Sequence, residues 1–280
     1  MESNSVGHGG SHVPFGNDLR RELERFEYRR GDHVQRFRFA SARIAGPDIL
    51  DFGCGHGFGA VYLAGSNRFY FGIDSDAKAL QWARTVVQPS FPRVEFFDSD
   101  ELRSHRGSTP FDAVVLLEVL EHVTDPGALL AYCREMLRPK GRLILSTPNG
   151  YLSRGNPQLF QSRFHVREFR PDELQDTLAH AGFNGELYVQ YRLDHIDSLP
   201  QIGKRALLAP KELRRSVDLS SELGPAFQRD REGRSRMSSL FQIYQLNPSW
   251  PALWRTARLE SFHGSQWGFT HILVDAWLEG

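Results

Sequence analysis

Ile49–Gly59 reads ILDFGCGHGFG. A short apolar run ends in Gly53, Gly55 and Gly57, and a helix is expected to open at about Gly59. Glycine reaches backbone conformations that a Cβ would block, and it lets a ligand approach the main chain. The N-terminus of the following helix faces the same space. Strand, glycine loop and helix together predict either a bare turn or a cradle for a nucleotide-like ligand. The loop alone does not choose between them.

Asp74 narrows the choice. It closes the next apolar run, Phe69–Ile73, about twenty residues beyond the loop. A carboxylate there can accept hydrogen bonds from both hydroxyls of an adenosine ribose. A nicotinamide fingerprint would read GxGxxG, whereas this loop reads GxGxG.

Outward from the loop, strands and helices alternate. Apolar runs at Val94–Phe97, Phe111–Leu117, Gly141–Ser146 and Glu186–Tyr191 read as further strands, with one more at Thr270–Trp277. Helical patterns fall at Ala77–Val87, Pro126–Leu137 and Pro171–Ala181. Such alternation predicts an α/β fold with a mostly parallel sheet and helices on both faces. Asn17–Ala45 mixes dense charge with Leu19, Leu23, Phe26, Val34 and Phe37, the pattern of one or two amphipathic helices. Its Glu24, Tyr28, Arg29, His33, Arg36 and Phe37 are expected on a solvated face, the alternative being a cover over the ligand of the glycine loop. The resulting layout is a disordered tail (1–16), an N-terminal helical cap (17–46), a core (47–193 and 269–280) and a long insertion or substrate lid (194–268).

The fourth strand runs into Glu118-Val119-Leu120-Glu121-His122. Were this stretch helical, Glu118, Glu121 and His122 would share a face. It lies at the carboxyl end of a strand, where ligands of such sheets bind. His165 follows the fifth strand within RFHVREF. Two carboxylates and two imidazoles suit Mg²⁺ or another divalent ion. Without a metal, His122 or His165 could serve as general base, with Glu118 beside them.

DFGCGHG, Asp74 and the later strand ends resemble the class I S-adenosylmethionine-dependent methyltransferases. The resemblance covers about Asp48–Tyr191 and implies a Rossmann-like, seven-stranded sheet. It implies that Asp51, Gly53, Cys54, Gly55 and Gly57 face the methionine end of S-adenosyl-L-methionine, and that Asp74 and Ser75 face its ribose. Ser99 and Asp100 would face the adenine, with Asp98 as rival for that place, and Glu118 would border the cofactor. E-x-x-E-H with a later histidine also resembles the ubiquinone-biosynthesis O-methyltransferases and the small-RNA 2′-O-methyltransferases. In the latter group these four residues bind metal, which implies Glu118, Glu121, His122 and His165 as ligands. The phrase around FHVREF resembles methyltransferases of glycan and natural-product gene clusters. The expected reaction is O-methylation of a small-molecule hydroxyl on a catechol, sugar or natural product. The rivals are a metal-dependent RNA enzyme and a non-catalytic cofactor-binding protein.

Composition bears on the rivals. The 280 residues carry 34 basic and 34 acidic side chains, a net charge of +0. A dominant nucleic-acid partner usually leaves a basic excess, so nucleic acid is disfavoured. Cys54 and Cys133 form no CxxC pair and suggest reduced thiols in the cytoplasm. No apolar run approaches the length of a membrane span.

Overall fold

Phe111–Leu117 (FDAVVLL) forms β4, the strand around which the sheet is built. Ala113, Val114, Val115 and Leu116 are wholly inaccessible, so the strand is covered on both sides. Successive side chains point to opposite faces. Ala113 and Val115 join one core with Ile49, Tyr70 and Ile144. Val114 and Leu116 join the other with Leu50, Phe71 and Leu143.

The computed structural model describes residues 17–65, 67–106, 110–150, 162–192, 241–245 and 269–278. The strands are β1 (Asp48–Phe52), β2 (Phe69–Ile73), β3 (Val94–Phe97), β4, β5 (Leu137–Pro148), β6 (Phe183–Arg192), β7 (Phe241–Gln245) and β8 (Phe269–Leu278). Their order across the sheet is β3-β2-β1-β4-β5-β8-β6-β7. The first five pair in parallel. Strand β8 inserts antiparallel between β5 and β6. All the expected strands are present in a mostly parallel sheet with a helical layer on each side. An eighth, β7, comes from within the expected insertion and pairs antiparallel with β6. That piece of 194–268 therefore extends the sheet. Residues 1–16 and most of the insertion lie outside the described residues.

On one face pack α1 (Asn17–Arg29), α2 (Gly31–Ser41), α3 (Gly59–Leu63) and α4 (Ala77–Trp82), through Leu19, Phe37, Phe39, Leu63 and Leu80. On the other lie α5 (Ser99–Arg106), α6 (Pro126–Met136) and α7 (Pro171–His180), through Leu102, Leu130, Leu174 and Leu178. Helix α5 was not foreseen. Asp98 creates it: its Oδ1 accepts from the N–H groups of Asp100 and Glu101, while Glu101 accepts from the Asp98 N–H. That is a reciprocal N-terminal cap.

The solvated face expected for α2 is corrected by the structure. Val34, Gln35, Arg36, Phe37, Phe39 and Ala40 are all buried. Aromatic contacts help seat the pair α1–α2 on the glycine loop's helix. Phe26 stacks on Phe58 at 4.4 Å, Phe37 on Tyr62 at 5.5 Å, and the Tyr62 hydroxyl donates to Glu27 at 2.8 Å. Such pairs add about 0.5–1.5 kcal/mol each beyond area burial.

Candidate active site

The parallel strands all end on one side, and sheet order sets the sequence of loops there. Ser99 and Asp100 follow β3, Asp74 follows β2, the glycine loop follows β1, and Glu118 follows β4.

The loop's three glycines have distinct reasons. All have positive φ: 79° at Gly53, 53° at Gly55 and 73° at Gly57. A Cβ on Gly53 would strike Val119, and one on Gly57 would strike the Phe96 ring. A Cβ on Gly55 would meet nothing within 4 Å among the described residues. Gly53 and Gly57 thus allow packing from beneath, while Gly55 borders open space where a ligand can approach.

The Asp74 carboxylate ties this loop down. Its Oδ2 accepts from Gly55 N at 2.7 Å and its Oδ1 from Asp76 N at 2.8 Å. A carboxylate has about four acceptor sites, so capacity remains for two ribose hydroxyls. Ser75 is exposed beside it. Ser99 and Asp100 are exposed on the first turn of α5, with Asp98 occupied as the cap. Cys54 turns its thiol inward, where a Cβ on Gly72 would lie 2.9 Å from the sulfur. Burial, then the Asp51 and Asp74 charges, push that thiol far above its ordinary pKa. Cys54 thus leaves its backbone on the loop's ligand side.

Asp51 is buried beneath the loop and accepts from the Tyr70 hydroxyl at 2.5 Å. Burial raises its carboxyl from 3.8 to about 7. A folded pKa above the unfolded one gives stability that is full below pH 3.8 and lost as pH rises to about 7. At about 1.4 kcal/mol per pH unit, the loss is on the order of 4 kcal/mol. Urea unfolding of Asp51→Asn at pH 5 and pH 8 is expected to lack this fall. An unchanged slope would place its origin elsewhere.

Glu118 does not continue a helix. It adopts φ +58°, rare for a non-glycine residue, and the chain then makes a single 3₁₀ turn over Leu120–His122. The shared face expected for Glu118, Glu121 and His122 is therefore corrected. Glu118 Oε1 accepts from the Ser146 hydroxyl at 2.7 Å, and Oε2 lies 2.8 Å from His271 Nε2 and 3.2 Å from an Arg36 guanidinium nitrogen. Arg36 is wholly buried. It also donates to Gln190 and Asp32, both at 2.9 Å, and contacts His271 Nδ1 at 2.9 Å. Arg36 offers only donors, so His271 Nδ1 is the acceptor and its Nε2–H points to Glu118. Burial alone would raise the Glu118 carboxyl, but the Arg36 and His271 interactions hold it well below the ordinary range.

Glu121, His122 and His165 do come together. One ligand atom from each lies within 4.8 Å of the others. Glu118, engaged with Arg36 and His271, is not in this group. Glu121 is fully buried; Oε2 accepts from Thr147 Oγ1 at 3.1 Å, and Oε1 has no hydrogen-bond partner among the described residues. Burial, then the Glu118 charge, raises the Glu121 carboxyl to about 9. His122 Nδ1 lies 3.0 Å from the Phe164 carbonyl, and His165 Nδ1 lies 2.8 Å from Glu168 Oε1. Each ring therefore keeps Nε2 for other work. Beside them Phe164 and Val166 are 66% and 52% exposed.

Sequence reasoning missed Gln190, His271 and Glu168, and misjudged Arg36. The apolar Val34, Phe37, Phe39 and Ala40 around Arg36 are the signal that could have placed it inside. The others carry no local signature, since His271 lies 235 positions from the arginine it contacts.

Comparisons with known proteins agree with this geometry. A family described as a methyltransferase domain matches residues 20–187. A probable S-adenosylmethionine-dependent methyltransferase of Mycolicibacterium smegmatis is 31% identical over 163 residues, which cover 58% of this chain and 61% of that protein. A ubiquinone biosynthesis O-methyltransferase of Thiobacillus denitrificans is 37% identical over 119 residues, covering 41% and 50%. The match thus spans about half to six-tenths of these relatives' length. Among solved structures, a SAM-dependent methyltransferase from Archaeoglobus fulgidus superposes with a TM-score of 0.52 at 16% identity, covering 91% of this chain and 98% of that one. With the family match covering more than half its length, the chain belongs to the class I S-adenosylmethionine-dependent methyltransferases.

Proposed function

We propose that the protein transfers a methyl group from S-adenosylmethionine to a hydroxyl of a small apolar or aromatic molecule, assisted by a divalent cation. The observation that carries this reading is the trio Glu121, His122 and His165, with a buried carboxylate oxygen that has no hydrogen-bond partner among the described residues, beside the exposed Phe164 and Val166. The O-methyltransferase relatives named for ubiquinone biosynthesis support an oxygen acceptor.

The chain's groups divide the labour. The cofactor would supply a methyl already activated on a sulfonium. Gly55 leaves room for its approach, Asp74 takes the ribose hydroxyls, and Ser99 or Asp100 borders the adenine. Asp51 supports the loop from below, and Ser75 sits exposed beside the ribose carboxylate. Glu118 holds the β4 turn so that Val119 covers Gly53.

Phe164 and Val166 present apolar surface to an acceptor ring. Glu121, His122 and His165 would hold the cation, which would lower the acceptor hydroxyl's pKa. With the cation absent, His122 or His165 can take the hydroxyl proton at Nε2. What remains for the protein is to hold oxygen and methyl in line.

Transfer of labelled methyl to catechol-type, sugar and amine acceptors, with Mg²⁺ or Mn²⁺ and with excess chelator, tests the reading. Label on oxygen, lost in chelator and restored by metal, is expected. Full activity in chelator would remove the cation and leave the histidine base. Label on nitrogen alone would overturn the choice of acceptor.

A further inference from the structure

Glu168 stands behind His165. Its side chain is inaccessible, and its Oε1 lies 2.8 Å from His165 Nδ1. The backbone that carries it is pinned from two directions. At one end, Val166 N and Arg167 N donate to the Glu121 carbonyl at 2.8 and 3.3 Å. At the other, Gly150 N donates to the Phe169 carbonyl at 2.7 Å, and Asn149 bridges Phe169 in parallel fashion. A Cβ on Gly150 would fall 2.5 Å from the Glu168 carbonyl oxygen, so a glycine is what lets the end of β5 approach so closely. Phe169 itself is fully buried. The carboxylate is thereby held on rigid structure.

We infer that Glu168 is a positioning residue for His165: it accepts the Nδ1–H, fixes that tautomer and aims the Nε2 lone pair at the space shared with Glu121 and His122. The inference rests on the reading of His165 as part of the reacting centre. A carboxylate accepts but does not donate, so the imidazole nitrogen facing it carries the proton. Only then is Nε2 free as a base or ligand. A histidine left to water prefers the opposite tautomer, with the proton on Nε2 and that nitrogen blocked. Carboxylate–histidine pairs of this kind orient ligating imidazoles, and their loss typically costs about 10–100-fold in metal affinity or activity. His122 has a weaker counterpart in the Phe164 carbonyl, so the two rings are prepared alike.

The test is long-range ¹H–¹⁵N spectroscopy of ¹⁵N-histidine-labelled full chain without metal, with His165 assigned through His165→Gln. Wild type is expected to show His165 protonated on Nδ1. Glu168→Leu, which keeps bulk but accepts nothing, is expected to move His165 mainly to the Nε2–H form. Glu168→Gln, which keeps an acceptor, should give a mixture. S-adenosylhomocysteine affinity within about twofold of wild type would show that each variant is folded. Should the leucine variant fail to fold, the glutamine variant decides, and a wild-type spectrum there overturns the proposal. An Nε2–H His165 in wild type, or an unchanged tautomer in Glu168→Leu, overturns it as well. Mn²⁺ titration of the same samples separates the two readings. If wild type binds Mn²⁺, Glu168→Leu should bind about 10–100-fold more weakly. If wild type binds none, the cation reading fails while the tautomer result still judges Glu168.

Discussion

Replacing Asp74 with alanine is expected to weaken S-adenosylhomocysteine binding by about 10²–10⁴-fold, measured by calorimetry. The carboxylate already restrains the glycine loop through Gly55 N and its own turn through Asp76 N. Two ribose hydroxyls would add two charge-assisted bonds, each worth about 1.5–3 kcal/mol. Alanine removes all four interactions and frees Gly55, the loop residue that borders open space. Asp74→Asn keeps the volume and one acceptor oxygen but loses the charge, and should fall between the two. A loss of less than about fivefold in Asp74→Ala would remove Asp74 from the ribose site. Preference for NAD over S-adenosylhomocysteine in wild type would overturn the cofactor assignment altogether.

Arg36→Met is expected to destabilise the fold by about 3–5 kcal/mol, because it removes a wholly buried guanidinium whose partners are Asp32, Gln190, His271 and the half-buried Glu118. At about 2–4 °C per kcal/mol for a domain of this size, the melting temperature should fall by roughly 6–20 °C. Methionine fills much of the arginine's volume, so lost packing is a small part of the effect. Gln190 and Asp32 also lose a donor. The double variant Arg36→Met with Glu118→Gln should recover part of the loss, since a neutral amide tolerates burial better. Additive single effects would mean that the ion pair at 3.2 Å contributes little. The pH dependence has a definite sign. Glu118 titrates in the folded state well below its ordinary 4.5. Its contribution is therefore present above about pH 4.5 and lost as pH falls through the folded value. This runs opposite to Asp51, whose stabilising effect is lost as pH rises to about 7.

The same network explains why an E-x-x-E-H motif need not act as one unit. A left-handed residue at the end of β4 turns Glu118 toward the cap helix, while Glu121 and His122 turn toward His165. The strain of such a residue is on the order of 1–2 kcal/mol. Here Ser146, His271 and Arg36 hold it in place. One acid thus joins the cap to the sheet, and the other joins His122 and His165.

Much of the architecture was legible in the chain because it rests on local signals. Alternating apolar runs mark strands buried on two faces, and the FDAVVLL run is inaccessible from Ala113 to Leu116. Glycines at 53, 55 and 57 announce positive φ, and all three have it. Asp74 was legible as well, because an acid after the second strand must lie beside a loop after the first once those strands pair in parallel. The missed helix α5 shows the limit of periodicity, since its SDELRSHR sequence buries little beyond Leu102 and starts from a capping carboxylate.

What the sequence alone determined is the glycine loop of Ile49–Gly59, the acid beside it and the parallel sheet that joins them. Each depends on residue type at a fixed short spacing. Only the tertiary structure decided which acid serves which purpose. Arg36, Glu118, Gln190 and His271 come from α2, the end of β4, β6 and β8, and no spacing along the chain relates them. Their meeting follows from the insertion of β8 between β5 and β6 and from the burial of α2. A polar group withdrawn from water must find partners wherever the fold brings them. For Glu118 those partners were the cap arginine and a histidine from the last strand, and for His165 the carboxylate of Glu168.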